Sequence, residues 1–467
     1  MKSGTWSKWK RGLAGGLLAV TTMLGTVVPA LANEAPQAAP QISPWSMGVL
    51  NEGEKYGIFP LSWYYDGTFQ KPIAHDRFQS LVQAAGAKLD ALGLSKKSEF
   101  TLPSGTATIT RDTVLQSLFG LLKQYELPAA FEMDKDAEPI AYLQKKGIVQ
   151  GTGSGLELDQ PCTVEQAAVL ASRVIEYAYE TADGGAKGLF WKVTKGNNTM
   201  YLLGSIHLGI PEMYPLRKEV KDAFQSSDEL LVEVNLMPDD TAGLEYFTSL
   251  TSYNDGTTLK DHVSKETYEK LERVIDKLGL PKQAFDQLKP WVINSNLALT
   301  ALMKSPEELA QAAASGVDLH FLSSAKLAGK PIQELEGFKL QGDILSSASP
   351  QEQEKELNTV LDQLLTPDAN APDMAAQFKQ WQQLWAKGDL DGFTQAFAAS
   401  SQQFTQSGMA QKLLGERDKN MAKKLAELLE KDGKSTYFVV IGAAHYAVKD
   451  MVLDQLKQKG YDVQFIK

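Results

Sequence analysis

Two stretches of the chain share a pattern that restricts its fold: a largely apolar segment followed by Gly-x-x-His. Residues 437–441 (YFVVI) run into residues 442–445 (GAAH), and residues 199–203 (TMYLL) run into residues 204–207 (GSIH). An apolar segment closed by a glycine is typical of a buried strand. Open sheets usually place their functional groups at the ends of such strands. The pattern predicts that both histidines emerge at strand ends, and that they converge if the strands share one sheet.

Short strands are predicted in five places, at residues 189–194, 199–203, 230–234, 331–336 and 437–441. The first two flank residues 195–198 (KGNN), a hairpin turn, because Gly and Asn tolerate the positive φ that tight turns require. The strands alternate with helices, such as the amphipathic segment 264–279. This alternation predicts an α/β, or mixed α+β, domain over residues 189–467.

The composition limits the possible partners and cofactors. The 467 residues carry a formal net charge of −10, five histidines and one cysteine. The acidic balance argues against a nucleic-acid partner held by a basic surface. Because Cys162 is the sole cysteine, an internal disulfide is excluded. Without a His-rich or Cys-rich tract, any metal ligands must be brought together by the fold.

Residues 1–32 have the features of a secretory signal peptide. Four basic residues precede an uncharged, largely apolar run, and residues 30–32 (ALA) form a small-residue cleavage pattern. We predict cleavage after Ala32 and a secreted, extracellular protein. The alternative is a retained anchor, because the uncharged run could nearly cross a bilayer. No transmembrane segment is expected after signal removal.

Between the signal and the α/β domain, the sequence predicts a linker at residues 33–43, a mostly helical module at 44–182 and a hinge at 183–188. The helices of the module are predicted at residues 45–56, 76–92, 111–125, 138–146 and 164–181. The module contains an internal repeat. Tyr56-Gly-Ile58 is followed by a glycine-containing loop and a helix, and Lys146-Gly-Ile148 is followed by a second such loop and a second helix.

This internal repeat resembles S-layer homology modules, and the resemblance covers about residues 43–182. It implies a non-covalent grip on secondary cell-wall polysaccharide, and hence a cell-wall association. The alternative is a set of folded helical repeats that has lost the polymer site.

Histidines and carboxylates supply the candidate chemistry. Neutral imidazole is a good ligand for Zn, Mn or Co, and carboxylates complete such sites. His207 and His445 are therefore candidate ligands, and Glu233 and Glu336, each late in a predicted strand, can complete the set. Alternatives stay open: a histidine bonded to backbone, a Glu233 that neutralises a buried cation, or a Glu336 that caps the next helix. His320 has the helical spacing of a packing residue.

Several stretches, in one order, resemble the TraB/GumN family, also called TraB/PrgY/GumN, which includes the Tiki-type metalloproteases. They are residues 201–209, 231–234, 289–291, 316–321, 329–341, 384–389, 416–418 and 440–445. The resemblance covers essentially the whole carboxyl-terminal domain. It implies a fold related to erythromycin-esterase-like and haem-binding ChaN-like proteins, and metal-dependent peptidase activity.

The resemblance also implies roles for five residues. His207, Glu233 and His445 would hold a divalent metal (Mn, Co or Zn), Glu336 would handle protons, and Arg417 would stabilise developing charge. Arg417 otherwise has the setting of a solvated helix face. We expect an exported, cell-wall-associated hydrolase with a peptide or small-molecule substrate. The alternatives are a non-catalytic binder that sequesters a peptide signal or small ligand, and a structural envelope protein.

Overall fold

The computed structural model describes residues 41–102, 108–151, 154–303, 305–367, 373–401 and 415–467. The predicted signal peptide and most of the predicted linker lie outside these residues. The chain divides into two compact units. We call Ala35–Lys187 with Ile210–Asp222 the helical unit, and Gly188–Gly209 with Ala223–Lys467 the sheet unit. No helix among the described residues has both the length and the apolarity to cross a bilayer.

All five helices predicted before residue 182 are present. They are α1 (Met47–Gly53), α2 (His75–Asp90), α3 (Arg111–Lys123), α4 (Pro139–Lys145) and α5 (Val164–Thr181). The start of α5 shows why these boundaries are readable in the sequence. Thr163 Oγ1 accepts the backbone N–H of Gln166, and the Gln166 side chain accepts the N–H of Thr163. This reciprocal cap satisfies two N–H groups that the helix itself leaves unpaired.

The helical unit contains a cluster of charges. Glu176 of α5 accepts hydrogen bonds from the Tyr56 hydroxyl and from the Lys221 ammonium group. Burial, reinforced by the negative charge of Glu176, raises the pKa of nearby Glu52 to about 7. The folded unit therefore binds this proton more tightly than the unfolded chain does.

Replacing Glu52 tests the link between protonation of its carboxylate and the stability of the folded chain. Because its pKa is raised on folding from 4.5 to about 7, stability falls as the pH rises through that window. Glu52→Gln mimics the protonated form, so we expect it to exceed the wild type in stability at pH 8 by up to about 3 kcal/mol, with no gain at pH 4.5. Urea unfolding at the two pH values measures the difference. Glu126→Gln, an exposed control in the same unit, should have the stability of the wild type at both pH values.

The sheet unit is built on one six-stranded sheet of order β4-β3-β5-β2-β1-β6. The strands are β1 (Leu189–Lys195), β2 (Asn198–Ser205), β3 (Glu229–Val232), β4 (Ile332–Glu334), β5 (Thr436–Gly442) and β6 (Val463–Phe465). The predicted hairpin is confirmed, since β1 and β2 pair in antiparallel register. The five predicted strands are present, and β6 is one that the sequence analysis missed. Its three residues are too few to show an alternating pattern.

The central pairing joins the two Gly-x-x-His strands. β2 and β5 are parallel neighbours, with Tyr201 opposite Phe438 and Ser205 opposite Gly442. β5 is also parallel to β3, and β3 is parallel to β4. Parallel strands have their carboxyl ends at the same edge, so β2, β3, β4 and β5 all end on one side of the sheet. The mixed α/β fold class is confirmed.

Aromatic side chains cover both faces of this sheet. On one face the Phe438 ring lies 4.7 Å from Phe321 and 5.4 Å from Phe224, measured between centroids. On the opposite face Trp191 contacts Tyr446 at 5.3 Å. Consecutive strand residues point to opposite faces, so a strand that packs on both sides has the continuous apolar sequence found in β5.

The helices of the sheet unit fill the segments between the strands. Numbered onward in chain order, they are α6 (Lys218–Ser226), α7 (Ala242–Thr251), α8 (Leu259–His262), α9 (Lys265–Leu278), α10 (Pro290–Leu302), α11 (Pro306–Ala314), α12 (Val317–Ala328), α13 (Phe338–Leu345), α14 (Pro350–Leu365), α15 (Met374–Lys387), α16 (Leu390–Ser401), α17 (Glu416–Leu429), α18 (Ala444–Ala447) and α19 (Val452–Gln458). The first residues of α6 belong to the helical unit. The amphipathic segment is confirmed as α9, which Ser264 caps and Gly279 ends at positive φ. Its apolar face packs in a cluster with buried residues of α8, α10 and α14.

Two glycines allow the loop after β2 to pack against the start of α12. A Cβ on Gly316 would lie 2.2 Å from the carbonyl oxygen of His207, and one on Gly209 would lie 1.8 Å from the carbonyl oxygen of Ser315. The Val317 N–H donates to the Ile206 carbonyl at 3.0 Å. This contact holds the backbone of the His207 loop against a helix end.

Gly316→Ala should disrupt that contact. The added methyl group meets backbone atoms, which cannot move as a side chain can, so we expect a loss of about 1–3 kcal/mol in unfolding free energy. Gly243→Ala is the matched control, because its nearest neighbour would be Phe338 Cβ at 3.6 Å. Urea unfolding followed by tryptophan fluorescence compares the two. Equal midpoints would mean that the loop is not tightly packed on α12.

Candidate functional site

The predicted histidines and glutamates meet at the carboxyl edge of the sheet. His207 follows β2, Glu233 follows β3 directly and Glu336 follows β4. His445 lies in α18, one short turn beyond β5. Arg417 joins them from the first turn of α17. The structure therefore brings all five predicted site residues into one region.

The two glutamates differ from the prediction in their backbone setting. We expected each carboxylate late in a strand, but β3 and β4 both end before reaching them. Past the strands, the N–H groups of Glu336 and Gly337 both donate to the Glu233 carbonyl, at 2.9 and 3.1 Å. Hydrogen bonds between the segments that follow β3 and β4, and not the alternation of a strand, hold the backbone of the two glutamates.

Gly442 lies between the donor groups. A Cβ built on it would be 3.3 Å from Glu233 Oε1, 3.6 Å from His445 Cδ2 and 3.9 Å from His207 Nε2. These three side chains thus border the space that a side chain at residue 442 would fill. Glycine at this position keeps that space open to a small ligand.

Hydrogen bonds fix both oxygens of Glu233. Oε1 accepts the Gly442 N–H at 2.6 Å. Oε2 accepts Arg417 Nη2 at 3.1 Å and lies 3.8 Å from His445 Nε2. The carboxylate is buried, and its orientation depends on one backbone group and one cation.

Arg417 forms two parallel hydrogen bonds with Glu336. Its Nε donates to Glu336 Oε1 at 2.8 Å, and its Nη2 contacts Oε2 at 2.5 Å. Gln341 Nε2 also donates to Oε2, at 3.2 Å. Burial alone would lower the pKa of Arg417, but the bonds to Glu336 and the charge of Glu233 outweigh it and raise that pKa. Arg417 is buried, so the solvated-face alternative is wrong.

Each site histidine has a carboxylate at its Nδ1. His445 Nδ1 is 2.9 Å from Asp418 Oδ1, and His207 Nδ1 is 2.6 Å from Asp318 Oδ2. All four side chains are buried. Burial disfavours a charged imidazole, but the adjacent aspartate outweighs it in both cases, and the pKa of each histidine is raised.

Sequence reasoning missed both aspartates. Asp418 is adjacent to Arg417, and Asp318 lies in the stretch Gly316-Val-Asp-Leu-His320, so both are inside segments that carried the family resemblance. Each occupies the first turn of a helix, where an acidic residue is usually ascribed to the helix dipole. Only their partners across the fold distinguish them from ordinary helix-start acids.

The other three histidines have different surroundings. His320 is buried on α12 with its ring 4.8 Å from Phe321, which agrees with a packing role. His262 stacks on Tyr253 at the surface, and His75 begins α2 in the helical unit. In the part of the chain that the structure describes, no group of three or more His, Cys, Asp or Glu side chains has metal-ligand geometry.

The charges of the site nevertheless suit a cation. Among the described residues, Arg417 pairs with Glu233 and Glu336, while Asp318 and Asp418 pair with the two histidines, so four carboxylates share one guanidinium charge. With neutral imidazoles this cluster is negative, so either protons on the histidines or a bound cation must compensate. The two imidazoles and Glu233 are the donor types that Zn, Mn and Co accept. The donor set therefore fits a divalent metal.

Comparison with known proteins gives a family for this arrangement. The model of the TraB/PrgY/gumN family matches residues 189–464. Two relatives, each named uncharacterized protein YbaP, come from Escherichia coli (strain K12) and Shigella flexneri and are 30% identical over 146 residues. The match covers 31% of this chain and 51% of either relative, so the chain spans about half the length of the curated relatives it matches. No solved structure matches. Because this match covers more than half of the chain, the chain belongs to the TraB/PrgY/gumN family.

Proposed function

We propose that the sheet unit is a metal-dependent hydrolase that acts on peptides. The observation that supports this most directly is the space beside Gly442, bordered by His207 Nε2, His445 and Glu233 Oε1. These residues would hold Mn, Co or Zn. A divalent metal in such a site lowers the pKa of water and polarises a carbonyl group. Family membership supports the fold of the site, and the reaction is our proposal.

The residues around the donors have distinct tasks in this proposal. Arg417 and the Gly442 N–H hold Glu233 in one orientation, and Arg417 adds positive charge close to where an oxyanion would develop. Glu336 was expected to carry protons. Its oxygens are engaged by Arg417 and Gln341. We therefore assign Glu336 to anchoring Arg417.

We also propose that the protein is exported and works outside the cell, on the evidence of the basic head, apolar run and A-x-A pattern of residues 1–32. The helical unit would bind cell-wall polysaccharide, as the resemblance of residues 43–182 to S-layer homology modules suggests. A cell-wall location would place the hydrolase near peptide substrates of the envelope.

Metal content and turnover test the proposal together. The purified full chain loaded with Mn, Co or Zn should cleave members of a peptide library, and a chelator should abolish cleavage. The double variant His207→Ala/His445→Ala should lose the bound metal, because two of the three donors are gone. His262→Ala, outside the site, is the control and should retain it.

Three outcomes separate the possible functions. Metal binding without cleavage would favour a protein that sequesters a peptide or small ligand. Equal metal content in the double variant and the wild type would contradict the proposed ligands. Cleavage that survives complete metal removal would contradict the proposed chemistry.

Gly442→Ala tests the space itself. The alanine N–H can still bond to Glu233, while the new methyl group occupies the volume between the three donors. We expect metal affinity to fall by about tenfold or more, equivalent to about 1.4 kcal/mol, with little change in unfolding. Isothermal titration with Mn or Co measures the affinity, and Gly243→Ala serves as the control. Unaltered affinity in Gly442→Ala would place the metal elsewhere.

A further inference from the structure

We propose that Asp418 and Asp318 are positioning residues that hold His445 and His207 in the Nδ1–H tautomer, so that each ring presents the Nε2 lone pair to the site. The inference rests on the proposed function for its consequence, which is metal affinity. Its structural content, the position of one proton on each ring, is independent of any metal.

The Asp418–His445 pair shows the geometry most clearly. Asp418 Oδ1 is 2.9 Å from His445 Nδ1, while its Oδ2 accepts the Gly415 N–H at 2.8 Å. The same carboxylate thus caps α17 and contacts the ring. With one oxygen bonded to the helix start, the other has a defined place. The carboxylate is completely buried, so water does not compete for it.

The Asp318–His207 pair has the same chemistry with a different support. Asp318 lies in the first turn of α12, whose start is bound to the His207 loop through the Val317 N–H and the Ile206 carbonyl. The Nδ1–Oδ2 distance is 2.6 Å, an ion-pair separation, so the carboxylate lies directly beside Nδ1. Close backbone packing at Gly316 brings together the two segments that carry the ring and the carboxylate.

The chemistry of the groups decides where the proton lies. A neutral imidazole has one N–H donor and one acceptor nitrogen, and an ionised carboxylate only accepts. The proton therefore goes to Nδ1, opposite the aspartate, and Nε2 keeps its lone pair. In His207 this Nε2 is the atom that lies 3.9 Å from a Cβ built on Gly442. A carboxylate behind the ring also raises the basicity of the donor nitrogen.

A purely structural role for the two aspartates would give a different experimental result. If the aspartates only stabilised helix starts or filled space, an isosteric amide would change stability without moving the ring proton. Asn can present its N–H₂ group to Nδ1. Nδ1 then acts as the acceptor, so the proton of the neutral ring lies on Nε2. The tautomer is thus the quantity that separates positioning from packing.

The test uses the full-length, metal-free chain labelled with ¹⁵N-histidine. The five histidines give few signals, and His→Ala variants assign them. Spectra are recorded at the pH at which the ring signals have reached their neutral limit. We expect wild-type His207 and His445 to be Nδ1–H tautomers, Asp418→Asn to shift His445 toward Nε2–H, and Asp318→Asn to shift His207. Asp391→Asn, an exposed acid in the first turn of α16, should move neither.

Metal affinity supplies the second measurement. Titration with Mn or Co should show weakening by about 10- to 100-fold for each Asp→Asn variant. An Nε2–H tautomer in the wild type, or unchanged tautomers in both variants, would overturn the inference. Correct tautomers in a protein that binds no metal would refute the proposed function and leave the positioning role intact, so the two failures are distinguishable.

Discussion

The parallel pairing of β2 with β5 is the interaction on which the site depends. Its register places Ser205 opposite Gly442, so two strands more than 200 residues apart in sequence end together. His207 and His445 then lie at one edge of the sheet. The neighbouring strands β3 and β4 end at the same edge and add Glu233 and Glu336. A slip of one residue between β2 and β5 would turn one set of side chains to the other face and separate the donors.

Buried charge is the second constraint, and helix starts satisfy it. The first turn of α17 supplies both Arg417, which contacts the two glutamates, and Asp418, which contacts His445. The first turn of α12 supplies Asp318. Breaking one partner of such a buried network leaves an uncompensated charge, which costs far more than a surface ion pair contributes. The network therefore fixes side-chain directions at the strand ends, where loops alone would allow several.

Much of this arrangement was predictable, and the exceptions have physical reasons. Apolar periodicity located the helices before residue 182, the strands β1 to β5 and α9, and the two Gly-x-x-His motifs located the sheet edge. Glu233 and Glu336 lie at the predicted edge of the sheet, but the prediction placed them inside strands because each follows an apolar residue. Beyond the strands, the N–H groups of Glu336 and Gly337 bond to the carbonyl of Glu233, which is far away in sequence, so no local pattern encodes this contact. Asp318 and Asp418 were missed because first-turn acids are common at helix starts.

The sequence by itself determined the elements and the residue types: apolar strands that must be covered on both faces, glycines at their ends, and histidines and carboxylates just beyond. These follow from local backbone preferences and from the need to bury apolar surface. Only the tertiary structure decided which carboxylate faces which imidazole, that Arg417 is buried between two glutamates, and that Gly442 borders all three donors. Those outcomes depend on strand register and helix placement, which are set by packing between residues far apart in the chain.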